Sequence, residues 1–198
     1  MKIETFYGPD IAPFIELLGR YRIEIFREYP YVYDGNMDYE RKYLSRYPLA
    51  SQSFLLLGRD ASGIACAVTG IPLECELDEF KQTLLECGMS LENMYYLGEI
   101  MIRRELRGQG LGWKLLGHAL QTMRDFGRFK HAVLCTVQRQ QDHPLRPAGY
   151  VYNDRLWLKS GFESMPGVTV LFSWKDLGEQ RETIKEMAYW IAPLASDS

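Results

Sequence analysis

The N-terminal part of the chain carries apolar residues at helical spacing. Between Asp10 and Pro30 they form one stripe, with Asp10 placed to cap a helix and Pro30 to end it. A second stripe, within residues 39–47, follows Asn36, which belongs to a favoured class of helix-capping residue. We therefore predict two N-terminal helices that precede the sheet.

Runs of adjacent apolar residues predict strands further along the chain. Residues 53–59 and 64–72 form two such runs, and the four residues between them suit a hairpin turn. Further runs predict strands over 95–102, 131–137, 168–174 and 187–192, and helical spacing predicts helices over 76–87, 113–126 and 153–160. A helix between two parallel strands makes a right-handed βαβ unit. The pattern predicts a mixed α/β (α+β) fold, and no repeat or linker divides residues 1–198 into more than one domain.

The composition limits the classes of partner. The 198 residues are 46% hydrophobic, which is enough for the core of one domain. The net charge is −3 and Lys and Arg form no cluster, so we expect neither nucleic acid nor a membrane as a partner. The sequence shows no signal peptide and no long apolar span, which predicts a cytoplasmic protein. The four cysteines match no zinc-ligand pattern, so we expect buried, reduced thiols and no metal.

A glycine-rich turn joins the strand predicted at 95–102 to the helix predicted at 113–126. It consists of Arg107, Gly108, Gln109, Gly110, Leu111 and Gly112. Glycine lets the backbone approach a ligand closely, and the free N–H groups of a first helical turn favour phosphate oxygens. The next residue is Trp113, so neither the Lys-Ser/Thr pair of a P-loop nor the third glycine of a dinucleotide fingerprint is present. The turn therefore predicts a different kind of phosphorylated cofactor.

The spacing of Arg107, Gly110 and Gly112 resembles motif A of the GNAT superfamily of N-acetyltransferases. A second part of the resemblance is Asn153 with Trp157, four residues before the Gly-Phe pair at 161–162. The resemblance implies a GNAT fold, with a mixed central sheet of about six to seven strands, flanking helices and acyl-CoA in a cleft between parallel strands. It implies acetyl-CoA as acyl donor, and dimers are common in the family, so a homodimer is compatible with it. The implied cofactor-binding residues are Ile100, Ile102, Arg107, Gly108, Gln109, Gly110, Leu111, Gly112, Asn153 and Trp157.

The resemblance also implies direct attack of an amine on the thioester, which requires a base for the amine and a proton for the thiolate. Glu99 is the leading candidate base, because a carboxylate in an apolar strand is costly to bury without a purpose; the alternative is a structural Glu paired with an Arg or a backbone amide. Trp157 stands where the family often has a proton-donating Tyr, and an indole cannot replace it. Tyr150 and Tyr152 could supply that phenol or simply pack. His143 could titrate usefully or could be an exposed loop residue.

Three tyrosines lie between the two N-terminal helices, on what the resemblance implies is the acceptor side of the cleft. Tyr29, Tyr31 and Tyr33 could hold an amine by cation attraction and apolar contact, or they could form a rigid loop that seals the helix pair. We expect an N-acetyltransferase that acts on a primary amine of a small molecule in a ternary complex. The alternatives are a coenzyme A-binding sensor or partner-binding module without turnover, and an acetyltransferase for protein N-termini or lysines.

Overall fold

The computed structural model describes residues 1–194, and its centre is one seven-stranded sheet. The strands are β1 (Ile3–Tyr7), β2 (Phe54–Asp60), β3 (Gly63–Pro72), β4 (Met94–Ile102), β5 (His131–Val137), β6 (Glu163–Trp174) and β7 (Thr183–Pro193). The helices are α1 (Ile15–Phe26), α2 (Met37–Leu44), α3 (Asp78–Glu86), α4 (Leu111–Asp125) and α5 (Asp154–Lys159). The strand order is β1-β2-β3-β4-β5-β7-β6, and every neighbouring pair is antiparallel except β4 and β5. The mixed α/β fold and its βαβ unit around α4 are confirmed.

The N-terminal segment differs from the prediction in two ways. The chain begins with β1, which pairs with β2, so the expectation that two helices come before the sheet is wrong. β1 is a five-residue edge strand that is only half-buried, and such a strand leaves a weak apolar pattern. The predicted start of the first helix at Asp10 falls in a 3₁₀ turn, and α1 begins at Ile15. The cap of α2 is as predicted, since the Asn36 side chain accepts a hydrogen bond from the Tyr39 amide at 2.9 Å.

The last two strands are longer than the apolar runs that predicted them. β6 starts at Glu163, and its pairing with β7 is interrupted between Ser164 and Thr169, where Pro166 and Gly167 lie. Pro cannot donate to the ladder and Gly weakens it, so these residues hid the first part of the strand. β7 likewise starts in a polar stretch, at Thr183.

Helices cover both faces of the sheet, and each face has its own apolar core. Helices α1, α2 and α3 pack on one face, and α4 and α5 pack on the other. Cys66 and Cys135 are buried, but Cys75 and Cys87 are exposed, so the expectation that all four thiols are buried is wrong. The two exposed cysteines lie at the ends of a turn and of α3, outside the sheet. None of the helices within residues 1–194 is long and apolar enough to cross a bilayer.

The sheet opens where its two parallel strands diverge. β4 and β5 pair only through Met94–Tyr96 and His131–Val133, and beyond these residues the strands separate. On its other edge β4 carries a bulge, because Thr69 faces Glu99 while Gly70 faces Leu97, which leaves Gly98 without a counterpart. A Cβ on Gly98 would lie 2.5 Å from the Tyr47 hydroxyl, so this position requires glycine. The divergence and the bulge together create a cleft in the middle of the sheet.

Candidate active site

The cleft between β4 and β5 has a volume of about 430 Å³. β4 contributes one wall and β5 the other, while the segment after α1 and the segment before α5 close its ends. Of the residues singled out from the sequence, the walls contain Tyr29, Tyr31, Glu99, Ile100, Ile102, Arg107, Gly108, Gly112, Tyr150, Tyr152, Asn153 and Trp157. The fold therefore brings most of the candidate cofactor, catalytic and acceptor residues to one place.

The glycine-rich turn at the mouth of the cleft has the geometry of an anion cradle. Gly108 (φ 74°) and Gly110 (φ 78°) adopt the left-handed conformation, and Gly110 directly precedes α4. The first backbone bond of α4 runs from the Lys114 amide to the Gly110 carbonyl at 3.3 Å, so the amides of Leu111 and Gly112 precede the helical ladder. A Cβ added at either left-handed glycine would meet open space. The turn thus offers free N–H groups, the positive end of a helix dipole and room for a pyrophosphate.

Arg107 connects the glycine-rich turn to the end of α1. Its Nε donates to the Ile102 carbonyl at 2.7 Å, and its Nη1 donates to Glu28 Oε2 at 2.8 Å. The carbonyl of Ile102, one of the predicted cofactor-binding residues, is therefore already hydrogen-bonded to Arg107. Gln109 points away from the cleft, because its side chain donates to the Glu105 carbonyl at 3.0 Å.

A second, shallower pocket of about 450 Å³ lies outside the glycine-rich turn. Its walls include Gly110, the 51% exposed ring of Trp113, and two cations of α5, Arg155 and Lys159. An exposed indole beside two cations suits a flat aromatic group that carries a phosphate. Gly110 was predicted from the sequence to bind the cofactor, whereas Trp113, Arg155 and Lys159 were not predicted as site residues. The signal available was the i, i+4 spacing of the two cations on the short predicted helix.

Glu99 is buried on β4 and is held by an ion pair. Its carboxylate pairs with Arg22 of α1 and accepts hydrogen bonds from Thr69 and from Tyr43, the latter at 3.3 Å. Arg22 is itself buried and also contacts Glu40 through its Nε at 2.5 Å. The structure thus shows Glu99 as a carboxylate paired with an Arg. Its donors, Arg22, Thr69 and Tyr43, occupy lone pairs of the carboxylate oxygens that a base would use to accept a proton. Arg22 was missed, although a cation on the apolar face of a helix was a usable signal.

Three tyrosines and one histidine from distant segments meet at one end of the cleft. Tyr29 hydrogen-bonds Tyr152 at an oxygen separation of 3.0 Å, and its ring lies 4.6 Å from Tyr150 and 5.6 Å from His143 between centroids. Desolvation raises the pKa of Tyr29 to about 12 and that of Tyr150 to about 12. These phenols stay protonated near neutral pH, so they can donate hydrogen bonds but cannot act as bases.

His143 lies behind Tyr29 rather than at the surface of the cleft. Its Nδ1 accepts a hydrogen bond from the Leu145 amide at 3.2 Å. In the neutral ring the proton is then on Nε2, which leaves no free lone pair for a substrate proton. A base role for His143 would require this turn to open.

Trp157 and Asn153 form the part of the wall that belongs to α5. Asn153 precedes the helix, and its carbonyl accepts from the Leu156 amide at 2.8 Å. Trp157 is 8% exposed, and its indole N–H has no hydrogen-bond partner among residues 1–194. A buried donor without a partner is costly, and this N–H is shielded from solvent even though the cleft is open.

A smaller cavity of about 70 Å³, which we call the inner chamber, adjoins the cleft on the α1 and α2 side. Tyr31 lines both spaces, whereas Tyr33 lines the inner chamber and not the cleft. The three tyrosines predicted to contact the acceptor are therefore distributed along a path from the cleft into the chamber. In residues 1–194, no group of three or more His, Cys, Asp and Glu side chains is arranged to hold a metal ion.

Comparison with known proteins agrees with this geometry. Structures similar in fold include an assigned acetyltransferase of Salmonella typhimurium solved with its cofactor acetyl-CoA (TM-score 0.60, 11% identity, 100% of this chain and 97% of that one). A second is a protein assigned as a phosphinothricin N-acetyltransferase (TM-score 0.62, 13% identity, 98% of this chain and 100% of that one). A third is a ribosomal-protein-alanine N-acetyltransferase of Brucella melitensis (TM-score 0.60, 12% identity, 98% of this chain and 99% of that one). Among curated proteins, none has a significantly similar sequence.

The sequence profile of the acetyltransferase (GNAT) family matches residues 21–147. This span contains the second half of α1, β4, the glycine-rich turn, α4 and β5, which build most of the cleft. The cradle and the diverging strands fit the acetyl-CoA that this family uses. The chain belongs to the acetyltransferase (GNAT) family and is an enzyme of that family, with acetyl-CoA as its acyl donor.

Proposed function

We propose that this acetyltransferase moves the acetyl group of acetyl-CoA to the primary amine of a small molecule, by direct attack in a ternary complex. The observation that carries the proposal is the cleft between β4 and β5. It has an anion cradle at its mouth and a group of protonated tyrosines and a buried carboxylate at its inner end. A donor and an acceptor can therefore enter from different sides and meet at the β4 bulge.

The residues of the cleft mouth would hold the nucleotide end of the donor. The amides that begin α4 suit the pyrophosphate, and the pocket with Trp113, Arg155 and Lys159 suits an adenosine with its 3′-phosphate. Ile100 and its neighbours on β4 face the unpaired part of β5, where an extended arm fits between the two strands. When bound, acetyl-CoA supplies an acetyl group activated as a thioester.

The amine side of the reaction requires two proton movements. A protonated primary amine loses two protons as the C–N bond forms and the C–S bond breaks; one ends on the coenzyme A thiol and the other in solvent. We propose Glu99 as the first acceptor, because it lies at the bulge in the wall of the cleft. For this role, one of the donors that now bind its carboxylate must move away.

Tyr29, Tyr150 and Tyr152 are proposed to stabilise the departing sulfur by hydrogen bonding. A phenol with a pKa of about 12 is a much weaker acid than a thiol, whose ordinary pKa is ~8.5. Full transfer of its proton to the thiolate is therefore unfavourable, because the pKa values of phenol and thiol differ by roughly three units. A phenol can lower the cost of the anion while water in the open cleft delivers the proton.

The way in which the segment after α1 is held supports a small acceptor. Arg139, which follows β5, donates to the Pro30 carbonyl at 2.8 Å and to the Tyr31 carbonyl at 2.7 Å. The same guanidinium pairs with Asp176 after β6, and the Tyr29–Tyr152 hydrogen bond joins the opposite side. These contacts hold the segment in place across the acceptor end, which favours a small amine over a peptide that needs an open groove.

The test is transfer itself. We would incubate the purified chain with acetyl-CoA and a panel of primary amines, and would follow thiol release and the mass gain of the amine. We expect amine-dependent release well above the hydrolytic background. Acetylation of peptides in place of small amines would support the protein-directed alternative. Donor binding without transfer to any amine or peptide would support a binding module and contradict the proposal.

A further inference from the structure

The inner chamber is an aromatic cavity that lies between the cleft and a third pocket. It shares Tyr31, Gly98 and Glu99 with the cleft. It shares Tyr33, Tyr39 and Trp174 with an outer pocket of about 300 Å³ that opens beside α2 and the segment between β6 and β7. The chamber therefore adjoins the β4 bulge on the side opposite the glycine-rich turn.

The charges at the chamber wall do not cancel. Arg22 is shared by two buried carboxylates, those of Glu40 and Glu99, which leaves one negative charge in excess. Arg46 does not offset it, because its guanidinium is paired with Glu76 at 2.9 Å. The excess charge lies in a region of low dielectric, where it attracts a cation strongly.

The aromatic walls add to this preference without adding charge. They are formed by Tyr31, Tyr39, Tyr43, Tyr96, Phe172 and Trp174. Burial raises the pKa of the tyrosines among them, so each stays a neutral phenol at physiological pH. The faces of neutral aromatic rings attract ammonium groups. Cations of the chain already lie over Tyr43 and Trp174, so Tyr31, Tyr39 and Tyr96 are the rings that would attract a ligand cation.

We propose that the inner chamber selects the acceptor as a primary ammonium on a slender alkyl arm, with no carboxylate on the carbon that bears the nitrogen. The proposal rests on the proposed acetyl transfer and names its substrate class. A space of about 70 Å³ admits an arm of about five heavy atoms, at roughly 10–15 Å³ for each water-sized group. A carboxylate next to the amine would meet Glu99 at the bulge, where the single charge of Arg22 is already shared by Glu40 and Glu99.

Two acceptors of the same skeleton test the proposal. Pentylamine and norleucine differ only by the α-carboxylate. We expect kcat/KM for pentylamine to exceed that for norleucine by roughly 100-fold or more, since juxtaposed like charges discriminate strongly. Equal values for the two amines, or a preference for norleucine, would overturn the proposal while leaving acetyl transfer intact.

A binding measurement keeps the test independent of turnover. Calorimetric titration of the chain, without donor, would compare pentylamine with pentan-1-ol, which has nearly the same shape and no charge. We expect the amine to bind at least tenfold more tightly. Equal affinity would overturn the proposal. If no amine is acetylated, the proposed function fails, and this titration still decides whether the chamber selects a cation.

Glu40→Gln removes the excess charge and keeps an acceptor for Arg22 Nε. We expect the KM for pentylamine to rise roughly tenfold, the KM for acetyl-CoA to stay unchanged, and the pentylamine-to-norleucine ratio to fall. The control is Asp38→Asn, the same change of charge on α2 at a side chain that is 96% exposed. A Glu40→Gln variant that is folded and has an unchanged ratio would contradict the charge argument. If that variant does not fold, the proposal is decided on the parent protein, by comparing pentylamine with norleucine in turnover and with pentan-1-ol in binding.

Discussion

Glu99→Gln distinguishes the two roles that the position of Glu99 allows, that of a general base and that of a structural partner of Arg22. The substitution keeps the shape of the side chain and removes its negative charge. Arg22 keeps Glu40 as a counter-ion, so the variant does not leave an isolated buried cation. It loses one charge-assisted interaction with Arg22 and weakens those with Thr69 and Tyr43.

The size of each effect follows from these contacts. A hydrogen bond to a charged group contributes about 1.5–3 kcal/mol to stability. In a chain of 198 residues each kcal/mol shifts Tm by about 2–4 °C, so we expect Tm to fall by about 3–12 °C. We expect the lower half of that range, because Arg22 retains a partner. Loss of a general base would lower kcat by about 10²–10⁴-fold.

The assay pairs thermal unfolding, followed by circular dichroism, with steady-state acetyl transfer at several pH values. The control is Glu76→Gln, which removes a buried carboxylate paired with Arg46 outside the cleft. We expect the control to lose stability and to keep kcat within about threefold of the parent value. A Glu99→Gln variant with normal kcat would refute the base role. An unchanged Tm would refute the argument from the ion pair.

Three further predictions concern the ends of the cleft. Glu28→Gln removes the ion pair that holds Arg107, which frees the guanidinium to bind phosphate. We expect the Kd for acetyl-CoA, measured by calorimetry, to fall by about two- to fivefold. Weaker binding would contradict the inference that Glu28 competes with phosphate for Arg107. Arg155→Ala should reduce the preference for coenzyme A over its 3′-dephospho form by about three- to tenfold in competition binding, and an unchanged preference would exclude the pocket beside Trp113 as the phosphate site. Tyr29→Phe removes the hydrogen bond to Tyr152 and should lower kcat several-fold. Because the pKa of Tyr29 is about 12, its phenol is protonated up to about pH 11, so the pH–rate profile from 7 to 10 should keep its shape; a basic limb that disappears in the variant would contradict this reasoning.

The parts of the fold that sequence patterns predicted are those with a strong local signal. Six of the seven strands, including β4 and β5, are marked by runs of apolar residues. The turn before α4 has glycines at 108 and 110 because the backbone there is left-handed, a requirement that leaves a mark on the sequence. β1 left no such mark, because an edge strand of five residues buries too little to need a continuous apolar run.

The parts that sequence patterns could not predict depend on contacts between distant segments. An isolated carboxylate in β4 indicated that Glu99 needs a partner, but the partner, Arg22, lies on α1, 77 positions earlier. The inner chamber is lined by residues of α1, α2, α3, β4, β6 and β7 and of the segment after α1, and apart from Arg22 and Glu99 these are ordinary core residues in their own segments. Recognition of an acceptor arises from their three-dimensional arrangement, so it leaves no motif.

The most direct test of the central claim is calorimetric titration of acetyl-CoA into the parent chain, Gly112→Glu and Gly117→Glu. Both glycines are in α4 with ordinary helical backbone, and a Cβ at Gly112 would make only normal contacts at 3.6 Å. A Glu in the first helical turn suits the helix dipole, so Gly112→Glu should fold while its carboxylate occupies the cradle. We expect the parent and Gly117→Glu to bind equally and Gly112→Glu to bind at least roughly 30-fold more weakly. Absence of binding to the parent, or equal binding to Gly112→Glu, would contradict the placement of the cofactor in this cleft.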